Sequence, residues 1–255
     1  FEDAQTVSKE LELTLTGKDC GLEERAPMCG VPYHAVEGYL SRLVQKGYKV
    51  AIAEQMEDPK QAKGLVKREV IRVVTPGTLT NSQVLEESKN NYLMGIVYID
   101  GVFGVSTVDV STGDYLVTEV RNERSLLDEI YKFSPSELIC NEAFYMSGID
   151  LEDLKVRLNA VISALENRFF SDDSCRRILR EHFHVEHLEA LGLADYETGA
   201  IAAGAVLQYL YETQKNTLEH LTRLTVYTTG QFMMLDTSTR RNLELTETLR
   251  EKQKR

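Results

Sequence analysis

Two segments near the N-terminus carry the hydrophobic spacing of amphipathic helices. In FEDAQTVSKELEL, residues 1–13, apolar side chains recur at near-helical intervals, and the TGKDCG that follows breaks the pattern. In YHAVEGYLSRLVQKG, residues 33–47, apolar side chains recur at i, i+3, i+4, i+7 and i+8, and Gly47 is suited to end the helix. We therefore expect two helices, the second of which buries Leu43.

The next two segments have the patterns of β-strands. YKVAIAEQ, residues 48–55, alternates so that Val50 and Ile52 face the same side. REVIRVV, residues 68–74, is rich in β-branched side chains and is followed by the turn signal TPGT. Together with the preceding helix these strands predict a small α/β unit that ends near Pro76.

From Asn91 the pattern predicts a second, larger α/β domain. YLMGIVYIDG, VFGVSTVDVSTG and DYLVTEV are three short strands separated by turn signals, Asp100-Gly101 and then residues 112–114. A long apolar helix, residues 194–215, contains Ala and Gly residues that allow close approach to a sheet or another helix. Between them we expect a helix at 125–133, a strand at 137–140, and helices around Leu154 and at 175–183.

The last segment, residues 221–255, predicts an extended stretch and then a helix capped by Asp236 or Thr237. That helix is still running at the last residue, and the first helix is already under way at Phe1. We therefore expect the chain to be a fragment of a longer protein.

Length and composition favour a cytoplasmic protein of two domains. The chain has 255 residues, of which 42% are hydrophobic, and contains neither a run of 18 apolar residues nor a signal-peptide pattern. The four cysteines, Cys20, Cys29, Cys140 and Cys175, have no CxxC or zinc-like spacing. We expect reduced, mostly packed thiols.

Two clusters of polar residues have the composition of metal sites. EHFHVEH places His182, His184 and His187 among acidic residues, and such side chains bind zinc or iron, but a solvated turn at the end of a helix explains them as well and is favoured. YIDG and the later Asp109 resemble the first strands of RNase H-like nucleases, which hold paired Mg²⁺ on carboxylates. Turn chemistry explains Asp100 and Asp109 without a metal, and we favour it.

A basic segment interrupts a chain whose net charge is −11. Acidic residues lie between the cations, so charge alone leaves both a solvated surface and a DNA-binding face open. Walker A and nucleophile-elbow motifs are missing from the sequence, and we identify no catalytic residue. The basic residues are Lys46, Lys49, Lys60, Lys63, Lys67, Arg68 and Arg72, with Lys18 and Arg25 adjoining.

The basic segment lies within a stretch that resembles a known family. GVPYHA, VAIAEQ and REVIRVVTPGT occur in that order at residues 30–35, 50–55 and 68–78, and MLDTSTRRNLEL follows at 234–245. They resemble the bacterial MutS family, the mismatch sensors of DNA repair, and the likeness runs along essentially the whole chain. Members of the family kink DNA at the mispair by wedging an aromatic ring into the minor groove.

The resemblance implies a fold class and a division into domains. A small mixed α/β mismatch-recognition domain would occupy residues 1–76, followed by a linker at 77–83. An RNase H-like α/β connector domain would occupy 84–214, and the start of a helical core domain would occupy 215–255. The resemblance also implies that the connector lacks nuclease activity, in agreement with the assignment of Asp100 to a turn.

The resemblance also implies DNA contacts in the first domain. Cations there would pair with phosphates, which positions a domain on DNA without reading its sequence. Four contacts come from the family pattern and two are added for their charge alone: Met28 in the loop facing the mismatch, Gln55, Lys67 and Arg68 beside it, and then Lys18 and Arg72.

Parts of the family pattern would lie outside this chain. The Phe-x-Glu motif, which stacks on the mispaired base, would precede Phe1, and the ATPase domain and clamp would follow Arg255. We therefore expect no enzymatic activity, cofactor or metal in this fragment, with ATP and Mg²⁺ bound by the full-length family protein. The expected partners are mismatched double-stranded DNA, MutL and, for the full-length protein, a second copy; no membrane is expected. A metal-dependent RNase H-like nuclease and a protein-interaction scaffold remain as alternative functions.

We expect the chain as given to bind DNA weakly and not to discriminate a mismatch. The stacking aromatic ring, worth about 1–3 kcal/mol per base, would be missing, and phosphate attraction alone gives dissociation constants of about 10⁻⁴ to 10⁻⁶ M. Fluorescence anisotropy with a G·T duplex and its matched control at fixed salt measures this. A preference above about tenfold, or about 1.4 kcal/mol, would contradict the expectation.

Overall fold

The structure is a computed structural model in which the described residues form two packed units. It describes residues 2–21, 23–58, 64, 66–79, 90–215, 218–229, 239 and 242–243. The first unit contains, in chain order, α1 (Glu2–Leu11), β1 (Thr16–Lys18), β2 (Ala26–Met28), α2 (Val36–Gln45), β3 (Val50–Gln55) and β4 (Arg68–Val74). The second contains β5 (Tyr92–Ile99), β6 (Val102–Asp109), β7 (Tyr115–Val120), α3 (Glu123–Phe133), β8 (Glu137–Cys140), α4 (Glu142–Tyr145), α5 (Leu151–Leu158), β9 (Val161–Ala164), α6 (Asp172–Phe183), α7 (Glu197–Gln214) and β10 (Thr225–Val226).

The first unit packs two antiparallel strand pairs with two helices. β1 pairs with β2, and β3 pairs with β4. The apolar face of α2 buries Leu40 and Val44 against Val74 and Leu79. Leu43 is 6% exposed, which confirms the predicted buried face. Gly47 follows α2 with a φ of 89°, a left-handed conformation that suits glycine and ends the helix.

The second unit is built on a six-stranded sheet in the order β10-β7-β6-β5-β8-β9. β5, β6 and β7 form an antiparallel meander, and β8 and β9 continue the sheet in parallel with β5. The predicted hairpin turn lies between β5 and β6, where Asp100 and Gly101 have φ values of 48° and 81°. The three predicted strands of the meander are therefore confirmed.

Helices cover both faces of this sheet. Along β5, Met94 and Ile96 pack in the cluster that contains α3 and α5 side chains. Leu93 packs in the opposite cluster, with side chains of α6 and α7. A central strand buried on both faces is apolar at every position, which is why residues 92–99 are almost continuously hydrophobic.

The helix α7 lies unusually close to the sheet because glycines face it. A Cβ added to Gly104 on β6 would lie 2.3 Å from the carbonyl oxygen of Thr198 on α7. A Cβ added to Gly204, on α7 itself, would lie 2.3 Å from the Cβ of Cys175 on α6. The close approach predicted from the small residues of this helix is confirmed.

Most of the remaining predicted elements occur in the second unit. The helix expected at 125–133 corresponds to α3, and the strand expected at 137–140 is β8. The long helix expected within 194–215 is α7. The helix cap expected at Asp236 or Thr237 lies outside the described residues. The mixed α/β class is confirmed, and the domain boundaries stay a prediction.

The exposure of the cysteines differs between the two units. Cys140 and Cys175 are buried in the second unit, where burial raises the pKa of each thiol to about 12. Cys20 is exposed and Cys29 is half-buried. The prediction of packed thiols therefore holds for Cys140 and Cys175 and is wrong for Cys20.

Replacing Gly104 by Ala should destabilise the second unit by about 1–3 kcal/mol, because the new methyl group overlaps the backbone of α7. Urea denaturation measures the change in the free energy of unfolding. Gly38→Ala is the matched control: Gly38 lies inside α2 with open space around its Cα, so alanine there should stabilise by about 0.5–1 kcal/mol. An unchanged midpoint for Gly104→Ala would contradict the close packing.

Candidate nucleic-acid interface

The β3–β4 hairpin brings three of the six candidate residues together. Gln55 and Arg68 are directly opposite each other in the antiparallel register, at the end of the strand pair. Lys67 precedes Arg68, and its carbonyl oxygen accepts a hydrogen bond from the amide of Met56 at 2.9 Å. All three side chains are exposed. Gln55 thus lies beside Lys67 and Arg68 at one exposed end of the hairpin. Because consecutive residues alternate, Arg68 shares a face with Gln55, whereas Lys67 lies on the face of its ion-pair partner Glu69.

A β-bulge separates Arg72 from this edge. The register moves from Ala53 opposite Val70 to Ile52 opposite Arg72, so that one residue of β4 has no partner. Cross-strand partners share a face and consecutive residues alternate. Arg68 therefore shares a face with Val70, while Arg72 shares the other face with Ile52. Residues four apart in a regular strand would lie on the same face.

The environment of Arg72 differs accordingly. Its side chain is half-buried, and its Nε is buried without a hydrogen-bond partner within the described part of the chain. The face it occupies also carries Val50 and Val74, which pack against α2. Charge alone, the basis on which Arg72 was chosen, does not distinguish these two faces.

Lys67 is held by acidic neighbours. Its Nζ lies 2.6 Å from an Oε1 of Glu69, and its backbone amide donates to Oε1 of Glu57 at 2.7 Å. The hydrogen bond between these two side chains raises the pKa of Lys67 and lowers the pKa of Glu69. Both groups are therefore charged at neutral pH, and a phosphate must compete with Glu69 for this cation.

Lys18 and Met28 belong to the other hairpin. Met28 lies at one end of the β1–β2 pair, opposite Thr16, whose hydroxyl donates to the Met28 carbonyl at 2.8 Å. Lys18 lies at the other end, opposite Ala26. Met28 is 45% exposed, and several other apolar residues of the first unit are exposed too, so exposure alone does not single it out. The six candidates are therefore divided between two separate strand pairs.

The base of the β3–β4 hairpin is attached to the second unit by a buried carboxylate. Glu137, the first residue of β8, is fully buried. Its Oε2 accepts hydrogen bonds from the Thr75 hydroxyl at 2.5 Å and the Gly77 amide at 3.1 Å. Its Oε1 accepts from the Tyr209 hydroxyl at 2.6 Å and pairs with the Lys49 ammonium at 3.1 Å. We call these five residues the Glu137 hub.

Local patterns in the sequence do not predict the Glu137 hub. Burial, and then the Glu137 charge, raise the pKa of Tyr209, so its hydroxyl remains a donor. The Lys49 ammonium also lies 3.0 Å from the Tyr209 hydroxyl. One signal in the sequence could have indicated the hub, namely an acidic residue at the start of the apolar strand ELIC. Its partners are 60 or more residues away along the chain.

The aspartates considered as metal ligands serve turns. Asp100 is exposed in the β5–β6 turn. Asp109 is fully buried, and its carboxylate accepts from the amides of Asn91, Ser111 and Thr112 at 3.0, 2.8 and 3.3 Å. The assignment of both residues to turns is confirmed. Among the described residues, no three His, Cys, Asp or Glu side chains are grouped as a metal site.

The histidine cluster is divided by the end of α6. His184 is exposed and ends the helix in the left-handed conformation, as expected of a turn. His182 is half-buried instead, with Nδ1 2.7 Å from the Tyr211 hydroxyl and Nε2 2.8 Å from the Leu221 carbonyl oxygen. Burial lowers the pKa of His182. The prediction that the histidines lie in a solvated turn is therefore wrong for His182, which holds the chain after α7 against α6.

Comparisons with known proteins cover both units. The family model for MutS domain I matches residues 1–83, and the model for MutS domain II matches residues 91–222. The whole chain is 62% identical to the DNA mismatch repair protein MutS of Lachnoclostridium phytofermentans, and 50% and 49% identical to the proteins of that name from Acetivibrio thermocellus and Ruminiclostridium cellulolyticum. It spans 27%, 29% and 29% of the lengths of these relatives. None of the described helices combines the length and the apolar character that a transmembrane segment needs.

Replacing Asp109 by Asn should destabilise the second unit by about 1–3 kcal/mol, because the amide group would turn a donor towards buried backbone donors. Asp100→Asn is the control and should change stability by no more than about 0.5 kcal/mol, since asparagine tolerates the left-handed conformation. Thermal unfolding measures both. If calorimetry showed Mg²⁺ binding that disappeared in Asp100→Asn, the assignment of Asp100 to a turn would be overturned.

Proposed function

The chain belongs to the MutS family, and from that premise we propose that it forms the DNA-contacting and connecting part of a mismatch-repair sensor. It would take part in recognising mispaired bases in double-stranded DNA. The observation that carries the proposal is the exposed end of the β3–β4 hairpin, where Gln55, Lys67 and Arg68 lie together. The match to relatives named DNA mismatch repair protein MutS extends over the entire length of the chain.

The chemistry of this hairpin end suits contacts with the DNA backbone. Arg68 can bind a phosphate with two parallel hydrogen bonds, and Lys67 can add a point charge. Such contacts are independent of base sequence, as a sensor of any mispair requires. The exposed Met28 supplies an apolar contact of the kind that can approach a distorted base step. Mispaired steps are easier to deform, so rigid contacts on either side favour the mismatch.

We propose an RNase H-like connector fold for the second unit. An antiparallel meander followed by two strands parallel to its first strand supports this assignment. Nuclease activity has no support, because Asp100 forms the β5–β6 turn and the carboxylate of Asp109 accepts hydrogen bonds from the turn that follows β6. We also propose that the full-length protein binds ATP and Mg²⁺ in its ATPase domain, pairs with a second copy and engages MutL through the connector.

Replacing Arg68 by Ala should weaken duplex binding about equally for matched and mismatched DNA. Loss of one phosphate contact should lower the slope of log K against log salt by about 0.9. Arg124→Ala is the matched control, because Arg124 is also an exposed arginine but lies on α3, outside the hairpin. Anisotropy titrations over a range of salt concentrations measure the slopes. An unchanged slope for Arg68→Ala would remove its phosphate role, and an equal loss for Arg124→Ala would show that total charge alone governs binding.

A further inference from the structure

The Glu137 hub ties the DNA-facing hairpin to the second unit at the base of the hairpin, where β3 begins and β4 ends. Lys49 immediately precedes β3, and Thr75 immediately follows β4. Both residues reach the same buried carboxylate, through the ammonium group and the hydroxyl group. The opposite end of the hairpin, at Gln55 and Arg68, is about 17 Å away for a six-residue strand.

We propose that Glu137 is a positioning residue that fixes the orientation of the β3–β4 hairpin on the second unit, so that strain from DNA bound at the hairpin end reaches the sheet. This inference rests on the proposed function for the part that concerns DNA. A rotation of about 10° at the hub displaces the far end of such a strand by roughly 3 Å. Displacements of that size decide whether phosphate contacts form.

The hub requires a carboxylate. Its partners are all donors, since the Gly77 amide and the Lys49 ammonium cannot accept, and the hydroxyls of Thr75 and Tyr209 point at Glu137. A glutamine at this position has one acceptor oxygen and one donor nitrogen. Whichever way its amide turns, the nitrogen faces either Gly77 or Lys49. Both orientations leave a donor without its acceptor, and the hairpin loses one of its attachments.

Close packing fixes the position of the hairpin base on the second unit. A Cβ added to Gly77 would lie 2.9 Å from the Cβ of Leu93 and 3.0 Å from the Cβ of Glu137. The backbone at Gly77 is therefore pressed against β5 and β8. In addition, Gln214 at the end of α7 donates to the carbonyl oxygen of Val73 on β4 at 3.4 Å. The hairpin base thus contacts both a central part of the sheet and the helix that covers it.

A second buried carboxylate offers a matched control. Glu129 on α3 is 3% exposed, accepts from the Tyr227 hydroxyl at 2.5 Å and pairs with Lys132 at 3.2 Å. Its partners, a tyrosine hydroxyl and an ammonium group, are of the same kinds as two of those at Glu137. They all lie in the second unit, however, and the β3–β4 hairpin takes no part in these contacts. Glu129→Gln therefore tests the loss of a buried carboxylate that does not join the two units.

The orientation is tested without DNA on the 255-residue chain. Spin labels are attached at Met56→Cys, beside the hairpin end, and at Ser147→Cys on the second unit, after Cys20→Ser and Cys29→Ser remove the accessible thiols. Pulsed electron paramagnetic resonance then gives the distribution of label distances. We expect Glu137→Gln to broaden the distribution at least twofold and Glu129→Gln to leave its width unchanged. Equal widths for the parent and Glu137→Gln, in chains that melt cooperatively, would overturn the positioning role.

Lys49→Met provides a second variant in case Glu137→Gln does not fold. It removes one attachment of the hairpin from a side chain that is 34% exposed, and leaves the other three donors on Glu137. We expect a distribution whose width lies between those of the parent and Glu137→Gln. A parent-like width for Lys49→Met would likewise contradict the proposal.

Transmission of strain is tested by amide hydrogen exchange with a saturating duplex at low salt. In the parent we expect DNA to slow exchange in β3 and β4 and also in β8 and the second half of α7. In Glu137→Gln only β3 and β4 should remain protected, whereas Glu129→Gln should behave as the parent. Protection of the hairpin without any change in β8 and α7 of the parent would overturn transmission. If DNA did not protect the parent hairpin, the proposed function would fail, and the label distances would still decide the positioning role.

Discussion

The buried carboxylate of Glu137 is the interaction on which the arrangement of the two units depends. Removing such a group from water costs several kcal/mol unless charge and hydrogen bonds offset the loss. The first unit supplies three of the four partners and the second unit supplies one: Lys49, Thr75 and Gly77, and then Tyr209. Because the carboxylate is satisfied only when both units are in place, their relative orientation is specified by polar chemistry as well as by apolar contact.

The second unit is a firm support for this junction because its sheet is covered on both faces. α7 lies against the sheet at the glycines of β5 and β6, so that helix and strands are in backbone contact. The chain that follows α7 returns to the sheet edge, where the Tyr227 amide donates to the Val117 carbonyl oxygen and its hydroxyl reaches Glu129. A hairpin attached to such a body transmits displacement rather than absorbing it, since packed cores deform little.

The acidic composition is compatible with a DNA-facing surface because contact depends on local geometry. The net charge of −11 describes the whole chain, whereas Lys67 and Arg68 occupy one exposed hairpin end. The bulge in β4 turns Arg72 to the opposite, apolar face. Glu69 pairs with Lys67, which keeps this cation ordered but makes a phosphate compete for it. The proposed attraction to DNA would therefore be weak and independent of base sequence.

Local patterns in the sequence predicted β3–β8 and every helix of the second unit except α4, together with the mixed α/β class and the turn roles of Asp100 and Asp109, because hydrophobic periodicity and turn chemistry act over a few residues. The short strands β1, β2 and β9 were not predicted. The whole-chain resemblance indicated the family. Only the tertiary structure decided that Arg72 faces away from Arg68, since a bulge depends on pairing with another strand. Only the tertiary structure revealed the partners of Glu137, because its hydrogen bonds join residues 60 or more positions apart. Such contacts leave no periodic trace in the sequence, and they are what hold the hairpin on the sheet.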